Sequence, residues 1–222
     1  MAADAIIRVA ETVELSPWQG RLAAGKPQLT VPIASTVAVD SGPAMRRDAL
    51  FSIPVSRVFI SFGLVIREKR IEEMLDWVAS HDDVGLLIVG GQRPEDPYPA
   101  ALAAQIARQG LGQRVLMMGW RDQQAVSALL RVSDAVLVPV VRPQSGAYTA
   151  ASQHGMPVVT LTPPSERVPG VIPLDALAGP GADAALLDAR QDMERSSRPI
   201  SWREIACMHV RFYRELLAGR GG

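Results

Sequence analysis

Apolar runs typical of buried strands alternate with segments of helical periodicity from residue 57 onward. The run VFISFGLV begins after Arg57 and is rich in β-branched and aromatic residues, which predicts a strand buried on both faces. Residues 68–80 place their apolar side chains at the spacing of one helix face. Further strands are predicted at residues 84–89, 115–118, 135–138 and 157–161, with helices at 97–109, 122–132 and 145–154. This alternation predicts an α/β fold, a Rossmann-like doubly wound and mainly parallel sheet with helices on both faces.

The segments on either side of this alternation are less regular. Short strands are expected at residues 5–9, 28–33, 170–172 and 184–187, a helical turn at 46–50, and a final amphipathic helix at 202–217 that Ser201 caps. Residues 1–27 are the least domain-like part of the chain. We therefore expect residues 1–27 to be a remnant or linker from a missing N-terminal domain, and residues 28–222 to form one Rossmann-like domain.

The composition is that of an ordinary globular domain. Hydrophobic residues make up 48% and charged residues 21% of the 222 residues, and 23 basic residues balance 23 acidic ones. A chain without net charge offers no long-range attraction to nucleic acid, so no nucleic-acid partner is expected. No apolar window is long enough to predict a transmembrane segment. Since a single cysteine excludes an intrachain disulfide, we predict a cytoplasmic protein, with peripheral attachment to a membrane left open.

Candidate chemistry lies in four strand-to-helix loops, because ligands of an open parallel sheet bind beyond the carboxyl ends of its strands. The candidate residues in these loops are Lys69, Gly90, Gly91, Gly119, Trp120, Arg121, Arg142, Ser145 and Gly146. The helix that starts at Ser145-Gly146 suits a diphosphate, since a helix N-terminus presents free N–H groups and a partial positive charge. Lys69 and Arg142 carry charges that suit a phosphate, and Trp120 is suited to flank a base.

Each candidate also has a purely structural interpretation that the pattern leaves open. Lys69 and Arg142 would then be solvated surface cations, the pair Gly90-Gly91 a turn, and Trp120 a packing residue at the rim. The GxGxxG and GxxxxGK[ST] phosphate motifs are absent, as is the GxSxG nucleophile motif. The histidines and the cysteine lack metal-ligand spacing, so we expect neither a metal nor another cofactor.

Five segments occur in an order found in one enzyme family. GLVIREKRIEEML resembles the segment G-R-L-x-x-E-K-G, and LLIVGG resembles the strand and glycine turn that follow it. VLMMGWRDQQAVSALLRVSDAVLVP, GMPVVT and SWREIACMHVRFYRELL resemble the next strand–helix–strand run, the G-x-P-V segment and the closing helix. Together they resemble the C-terminal, donor-binding domain of retaining GT-B glycosyltransferases of the group 1, family 4 type. The similarity covers about residues 28–217 with gaps.

This resemblance implies hexosyl transfer from a nucleotide-diphosphate sugar to an acceptor that the sequence does not identify. Lys69 aligns with the phosphate-binding lysine of the family, and Ser145-Gly146 with the loop that leads to the diphosphate-facing helix. Gly119 and its neighbours Trp120 and Arg121 align with the loop near the base, and Gly90-Gly91 with the preceding glycine turn. The implied mechanism is electrostatic stabilisation of the leaving diphosphate without an obligate metal.

The chain departs from the family pattern in two ways. The family carries two glutamates eight positions apart, where this chain has Arg142 and Ala150, and an arginine where this chain has Leu64. The first of the two GT-B domains is also missing, since ADAIIRVAE resembles only its last strand. We expect a partial or split enzyme completed by a separate N-terminal domain or by a second copy. The alternative is a non-catalytic, degenerate transferase domain that serves as a binding or regulatory subunit.

Overall fold

A computed structural model describes residues 5–9, 21, 23–39, 42, 45–142, 145–197 and 200–218. Its strands are β1 (Ile6–Val9), β2 (Gln28–Val31), β3 (Arg57–Phe62), β4 (Val84–Val89), β5 (Val115–Gly119), β6 (Ala135–Val140), β7 (Val158–Thr162) and β8 (Val171–Pro173). Its helices are α1 (Ile71–Ala79), α2 (Tyr98–Arg108), α3 (Gln123–Val132), α4 (Gly146–Gln153), α5 (Ala182–Ser196) and α6 (Trp202–Ala218). Short 3₁₀ turns occur at Arg47–Ala49, Arg67–Lys69 and Leu174–Leu177. Within the described residues, no helix combines the length and apolarity needed to cross a membrane.

The chain divides into two compact units, and the larger one, residues 36–198, is built on a six-stranded sheet. Its strands lie in the order β5-β4-β3-β6-β7-β8, and every neighbouring pair is parallel. Counted from β3 as the first strand, this is the doubly wound order 3-2-1-4-5-6, which reverses direction between β3 and β6. The predicted Rossmann-like α/β fold is therefore confirmed.

The two faces of the sheet carry separate hydrophobic clusters. Phe59 of β3 and Leu86 of β4 belong to the cluster that α1 and α2 cover, whereas Ile60 and Leu87 belong to the cluster that α3 and α4 cover. All four side chains are fully buried. Strands enclosed on both faces need apolar side chains in both directions, which explains why their sequences are continuous apolar runs.

The first helix starts later than the periodicity indicates. Residues 68–80 were expected to be helical, but the structure has a 3₁₀ turn at Arg67–Lys69 and begins α1 at Ile71. Arg70 separates the two with a left-handed backbone at φ 51°. This conformation is uncommon for a residue with a side chain. The break leaves Lys69 in the turn between β3 and α1.

The short strand predicted at residues 184–187 is wrong. These residues lie inside α5, where Ala182, Leu186, Ala189 and Met193 are buried. Their spacing of three and four residues is that of one helix face, and this periodicity outweighs the strand propensity of a short apolar run.

The second unit consists of residues 1–35 and 199–222. In it β1 and β2 pair in parallel, and α6 contributes Ile205 to a small cluster with Val31 and Ala34. Ser201 caps α6 as predicted, since its hydroxyl accepts from Glu204 N and its own N–H donates to the Glu204 carboxylate. The structural boundary falls after Ser35, whereas the sequence pattern predicted it between residues 27 and 28. The pairing of β2 with β1 places β2 in the same unit as residues 6–9. The origin of residues 1–27 as a remnant stays a prediction.

The backbones of β3 and β4 meet where the two strands end. A Cβ atom added to Gly90 would lie 1.7 Å from the carbonyl oxygen of Gly63. Gly90 N also donates to Gly119 O at 2.9 Å, and Gly63 N to Val89 O at 2.9 Å. Since the obstructing atom belongs to the backbone, no side-chain movement can make room for a larger residue at position 90.

We expect Gly90→Ala to lower the free energy of unfolding by about 3 kcal/mol or more, since the added methyl group forces the two strands apart. Urea denaturation followed by circular dichroism measures this change. Gly146→Ala is the matched control, because an added Cβ at Gly146 meets no atom within 4 Å. The control should leave stability unchanged or raise it by up to about 1 kcal/mol. Equal stability of the two variants would contradict the close approach.

Candidate functional site

A cavity of about 410 Å³ opens at the carboxyl ends of the strands, at the point where the strand order reverses. Its volume lies within the range of about 300–1,000 Å³ typical of small-molecule sites. The lining comes from the ends of β3 and β4, the loop after β5, the starts of α3 and α4, and a segment before β3. The residues are Thr36, Val37, Phe62, Gly63, Leu64, Val89, Gly90, Gly91, Trp120, Arg121, Gln123, Val126, Gly146 and Ala147.

Lys69 lies against the floor of this cavity. Its Nζ donates to Phe62 O at 2.9 Å and would lie 3.4 Å from a Cβ atom on Gly63. The 3₁₀ turn before α1 returns the chain toward the end of β3 and places the ammonium group there. Phe62 and Gly63 both line the cavity, so the ammonium group adjoins it next to a position that has no side chain.

The charge of Lys69 is not neutralised by a protein carboxylate. Burial lowers the pKa of Lys69, because the charged ammonium loses contact with water. Within the described part of the chain, no acidic side chain forms an ion pair with it, whereas Arg57 pairs with Asp83 at 2.9 Å and Arg47 with Asp134 at 2.7 Å. An anion at the floor of the cavity would therefore relieve an existing electrostatic cost.

The N-terminus of α4 faces the same cavity. The Ser145 hydroxyl caps the helix by accepting from Tyr148 N at 3.2 Å. Gly146 and Ala147, the first two residues of the helix, both line the cavity. Neither has a polar side chain, so the helix presents backbone N–H groups and its positive dipole end to the cavity.

The loop after β5 forms the rim. Trp120 is 72% exposed, and a Cβ atom added to Gly91 would lie 4.0 Å from its Cδ1. The Arg121 guanidinium donates to Trp120 O at 2.9 Å. Asp122 caps α3 as predicted, accepting from Ala125 N at 2.8 Å. This cap fixes the position of Gln123, the first residue of α3, at the cavity wall.

The structure brings most of the predicted site residues together. Gly90, Gly91, Trp120, Arg121 and Gly146 line the cavity, and Lys69 and Ser145 adjoin it. Gly119 is the last residue of β5 and has a left-handed backbone, φ 65°; as a glycine it has no side chain to extend into the cavity. Their roles toward a ligand remain predictions, because no ligand contact tests them.

Arg142 and Ala150 occupy the two positions at which the resembled family has glutamates. Arg142 is exposed and is not among the lining residues, and its carbonyl oxygen accepts from Ser145 N at 2.8 Å. Ala150 is fully buried in the cluster under α3 and α4. The described lining therefore contains neither residue, and the phosphate role of Arg142 stays a prediction.

The cavity also contains residues that the sequence patterns did not indicate. Thr36 and Val37 lie some twenty residues before β3 and carry no motif, so only tertiary structure could place them at the site. Gln123 follows the predicted cap Asp122 directly. The sequence could have indicated Gln123 as a site residue only through its position as the first residue of a helix at the carboxyl edge of the sheet.

The arrangement suits an anionic ligand with an apolar part. Arg121 is the one ionisable side chain that lines the cavity among the described residues, with Lys69 behind the floor. Val37, Phe62 and Val126 supply apolar walls. The described residues contain no group of three or more His, Cys, Asp or Glu side chains placed to hold a metal ion. The expectation that no metal is needed stays a prediction.

No protein-family model matches the chain, and no curated protein matches its sequence. Its fold is nevertheless similar to those of solved glycosyltransferases. Sucrose-phosphate synthase from Thermosynechococcus elongatus matches 98% of this chain with 59% of its own, at TM-score 0.66 and 19% identity. HepE of Anabaena, solved in complex with UDP and glucose, matches 96% of this chain with 63% of its own, at TM-score 0.64 and 16% identity.

The C-terminal domain of the group 1 glycosyl transferase LpcC from Francisella tularensis is also similar. It matches 73% of this chain with 95% of its own, at TM-score 0.55 and 16% identity. At these identities the likeness shows the fold, the Rossmann-like fold of GT-B proteins. This chain spans 59% and 63% of the lengths of the first two proteins.

Arg114 offers a contrast to Lys69, because it is a buried cation that serves the fold. Its Nη1 donates to Val78 O at 2.6 Å, to His81 O at 2.5 Å and to Val84 O at 3.3 Å. It thereby closes the end of α1 and the loop that leads to β4. Lys69 makes one such bond.

We expect Lys69→Met to change the free energy of unfolding by less than about 1 kcal/mol. The variant loses the hydrogen bond to Phe62, but it no longer has to bury a charged ammonium group, and the two effects offset each other. Arg114→Met should lower it by about 3 kcal/mol or more, since several buried carbonyls lose their donor. Urea titration of both variants provides the measurement. If Lys69→Met lowers the free energy of unfolding as much as Arg114→Met does, Lys69 stabilises the fold and is not a residue reserved for ligand binding.

Proposed function

We propose that this chain is the donor-binding part of a glycosyltransferase, which binds a nucleotide-diphosphate sugar whose hexosyl group passes to an acceptor. One observation carries the proposal. At the switch point of a doubly wound sheet, a lysine without a carboxylate partner among the described residues and a helix N-terminus adjoin one cavity of suitable volume. Such a pair of cationic features is suited to a diphosphate.

The diphosphate would lie between the floor and α4. The N–H groups at Gly146 and Ala147 would donate to its oxygens, and Lys69 would supply a full charge from below Gly63. Since Gly63 and Gly90 have no side chains, phosphate oxygens can approach the backbone closely. Arg121 at the rim adds a second full charge.

The nucleoside would lie toward the rim. The exposed ring of Trp120 is suited to stack on a base, and Val37 and Val126 provide an apolar wall. HepE, whose fold is similar, was solved with UDP, which supports a uridine diphosphate as the first ligand to test.

The catalytic contribution of this chain would be electrostatic. As the bond between the sugar and the diphosphate breaks, negative charge accumulates on the diphosphate, and Lys69 and the positive end of α4 are fixed where they stabilise it. Proton transfer is not needed at the leaving group in such a step, and no metal is required to neutralise it. We propose the retaining outcome and the family 4 type from the sequence resemblance alone.

The acceptor site would come from residues outside the donor-binding unit. This chain spans 59% of sucrose-phosphate synthase and 63% of HepE, so a large part of those proteins has no counterpart here. We propose that a separate N-terminal domain or a second copy of the chain completes the enzyme.

A non-catalytic role is the second candidate, and a specific observation favours it. The two positions where the resembled family has glutamates hold an exposed Arg142 outside the cavity lining and a fully buried Ala150. A domain without these carboxylates would serve as a binding or regulatory subunit. Donor binding by the purified chain separates a functional site from a degenerate one.

We expect UDP or GDP to bind the purified chain, and Lys69→Met to weaken that binding by roughly tenfold to a hundredfold, the usual value of a charge-assisted hydrogen bond. Isothermal titration calorimetry with both nucleotides and their common sugar conjugates measures the affinities. The same change at the only other lysine, Lys26→Met, is the matched control, since Lys26 lies in the other unit.

Unchanged affinity in Lys69→Met would remove the lysine from the site. If the folded chain binds none of these nucleotides, the degenerate, non-catalytic role becomes the better account of this domain.

A further inference from the structure

The described lining of the cavity offers positive charge to a ligand but few side-chain hydrogen-bond acceptors. None of the fourteen lining residues is acidic. Thr36 and Gln123 are the two lining residues whose side chains can accept a hydrogen bond through oxygen, and both are exposed to water. Positive charge with few acceptors determines which groups of a nucleotide the site can bind selectively.

Several backbone carbonyl groups at the floor also accept hydrogen bonds within the protein. The carbonyl oxygens of Val89 and Gly91 accept from Gly63 N and Val65 N, each at 2.9 Å. The Gly119 carbonyl accepts from Gly90 N at 2.9 Å, and the Phe62 carbonyl from Lys69 Nζ at 2.9 Å. Each of these four carbonyl oxygens therefore already accepts one hydrogen bond from the protein.

Three acidic side chains near this edge are engaged elsewhere. Asp122 accepts from Ala125 N as the cap of α3. Glu73 pairs with Arg70 at 2.6 Å, and Glu72 accepts from the Tyr98 hydroxyl. None of the three lines the cavity.

A ribose presents two neighbouring hydroxyl donors, and Rossmann-type sites that select it use an Asp or Glu as acceptor. A site with such a buried acceptor rejects the analogue without the hydroxyl strongly, because the acceptor is then left unpaired. A hydroxyl that points at water or at an exposed neutral group contributes little net affinity, since water makes the same bond.

From these contacts we infer that the site does not distinguish ribonucleoside from 2′-deoxyribonucleoside diphosphates. The inference rests on the proposed nucleotide-binding function and extends it. Recognition comes from the diphosphate, through Lys69 and α4, and from the base, through Trp120. The sugar between them meets glycine and aliphatic surface, so the ligand class includes deoxynucleoside diphosphates and their sugar conjugates.

The test compares nucleotide pairs that differ only at the 2′ position. Titration calorimetry of the full chain with UDP and 2′-deoxy-UDP, and with GDP and 2′-deoxy-GDP, gives the ratio of dissociation constants for each base. For whichever base binds, we expect the two dissociation constants to agree within tenfold. A preference of more than tenfold for the ribonucleotide overturns the inference and leaves the proposed function intact.

Two further measurements show that both forms occupy this cavity. Each nucleotide should displace the other in a competition titration, and Lys69→Met should weaken both by the same factor, because the lysine is directed at the diphosphate they share. A Lys69→Met effect on the ribonucleotide alone overturns the inference, since the deoxy form would then bind elsewhere. Absence of binding by all four nucleotides to the folded chain removes the proposed function together with this extension of it.

Discussion

The contact between the backbones of Gly63 and Gly90 is the constraint on which the rest of the site depends. An added Cβ at Gly90 would be 1.7 Å from the Gly63 carbonyl oxygen, so β3 and β4 can close at their carboxyl ends only without a side chain there. The closure forms the floor of the cavity. At the same place the 3₁₀ turn brings the ammonium group of Lys69 next to Gly63, where a Cβ atom would lie 3.4 Å from its Nζ.

The charges of the larger unit are distributed unequally between the two ends of the sheet. Near the amino ends of β3 and β6, Arg57 is paired with Asp83 and Arg47 with Asp134, and these pairs join loops that are distant in sequence. At the carboxyl ends, Lys69 and Arg121 have no such carboxylate partner among the described residues. Arg70 lies at the same edge but is paired with Glu73. An ion pair uses up a charge that a ligand could otherwise meet, so Lys69 and Arg121 are cations of this edge that remain available for binding among the described residues.

An unpaired buried cation is costly to the folded protein unless an anion restores the balance. In this chain the cost is small, because one backbone carbonyl and partial hydration support Lys69. The same weak support makes the lysine available to a phosphate. The lack of acidic residues in the lining acts in the same direction, because carboxylates would repel the anion while binding its hydroxyl groups.

The sequence alone determined the architecture, because helical and strand periodicity from residue 57 onward is strong. The N-caps of α3 and α4, Asp122 and Ser145, also follow a local rule. It also indicated the glycine loops, Trp120 and Lys69, since a doubly wound sheet places all strand ends at one edge. It misassigned residues 184–187, where a short apolar run obscured a longer helical period. Only the tertiary structure decided that Thr36 and Val37 join the cavity, that Ala150 is buried away from it, and that Lys69 donates to the Phe62 carbonyl at its floor. Those facts depend on tertiary contacts, and such contacts leave no periodic signal in the sequence.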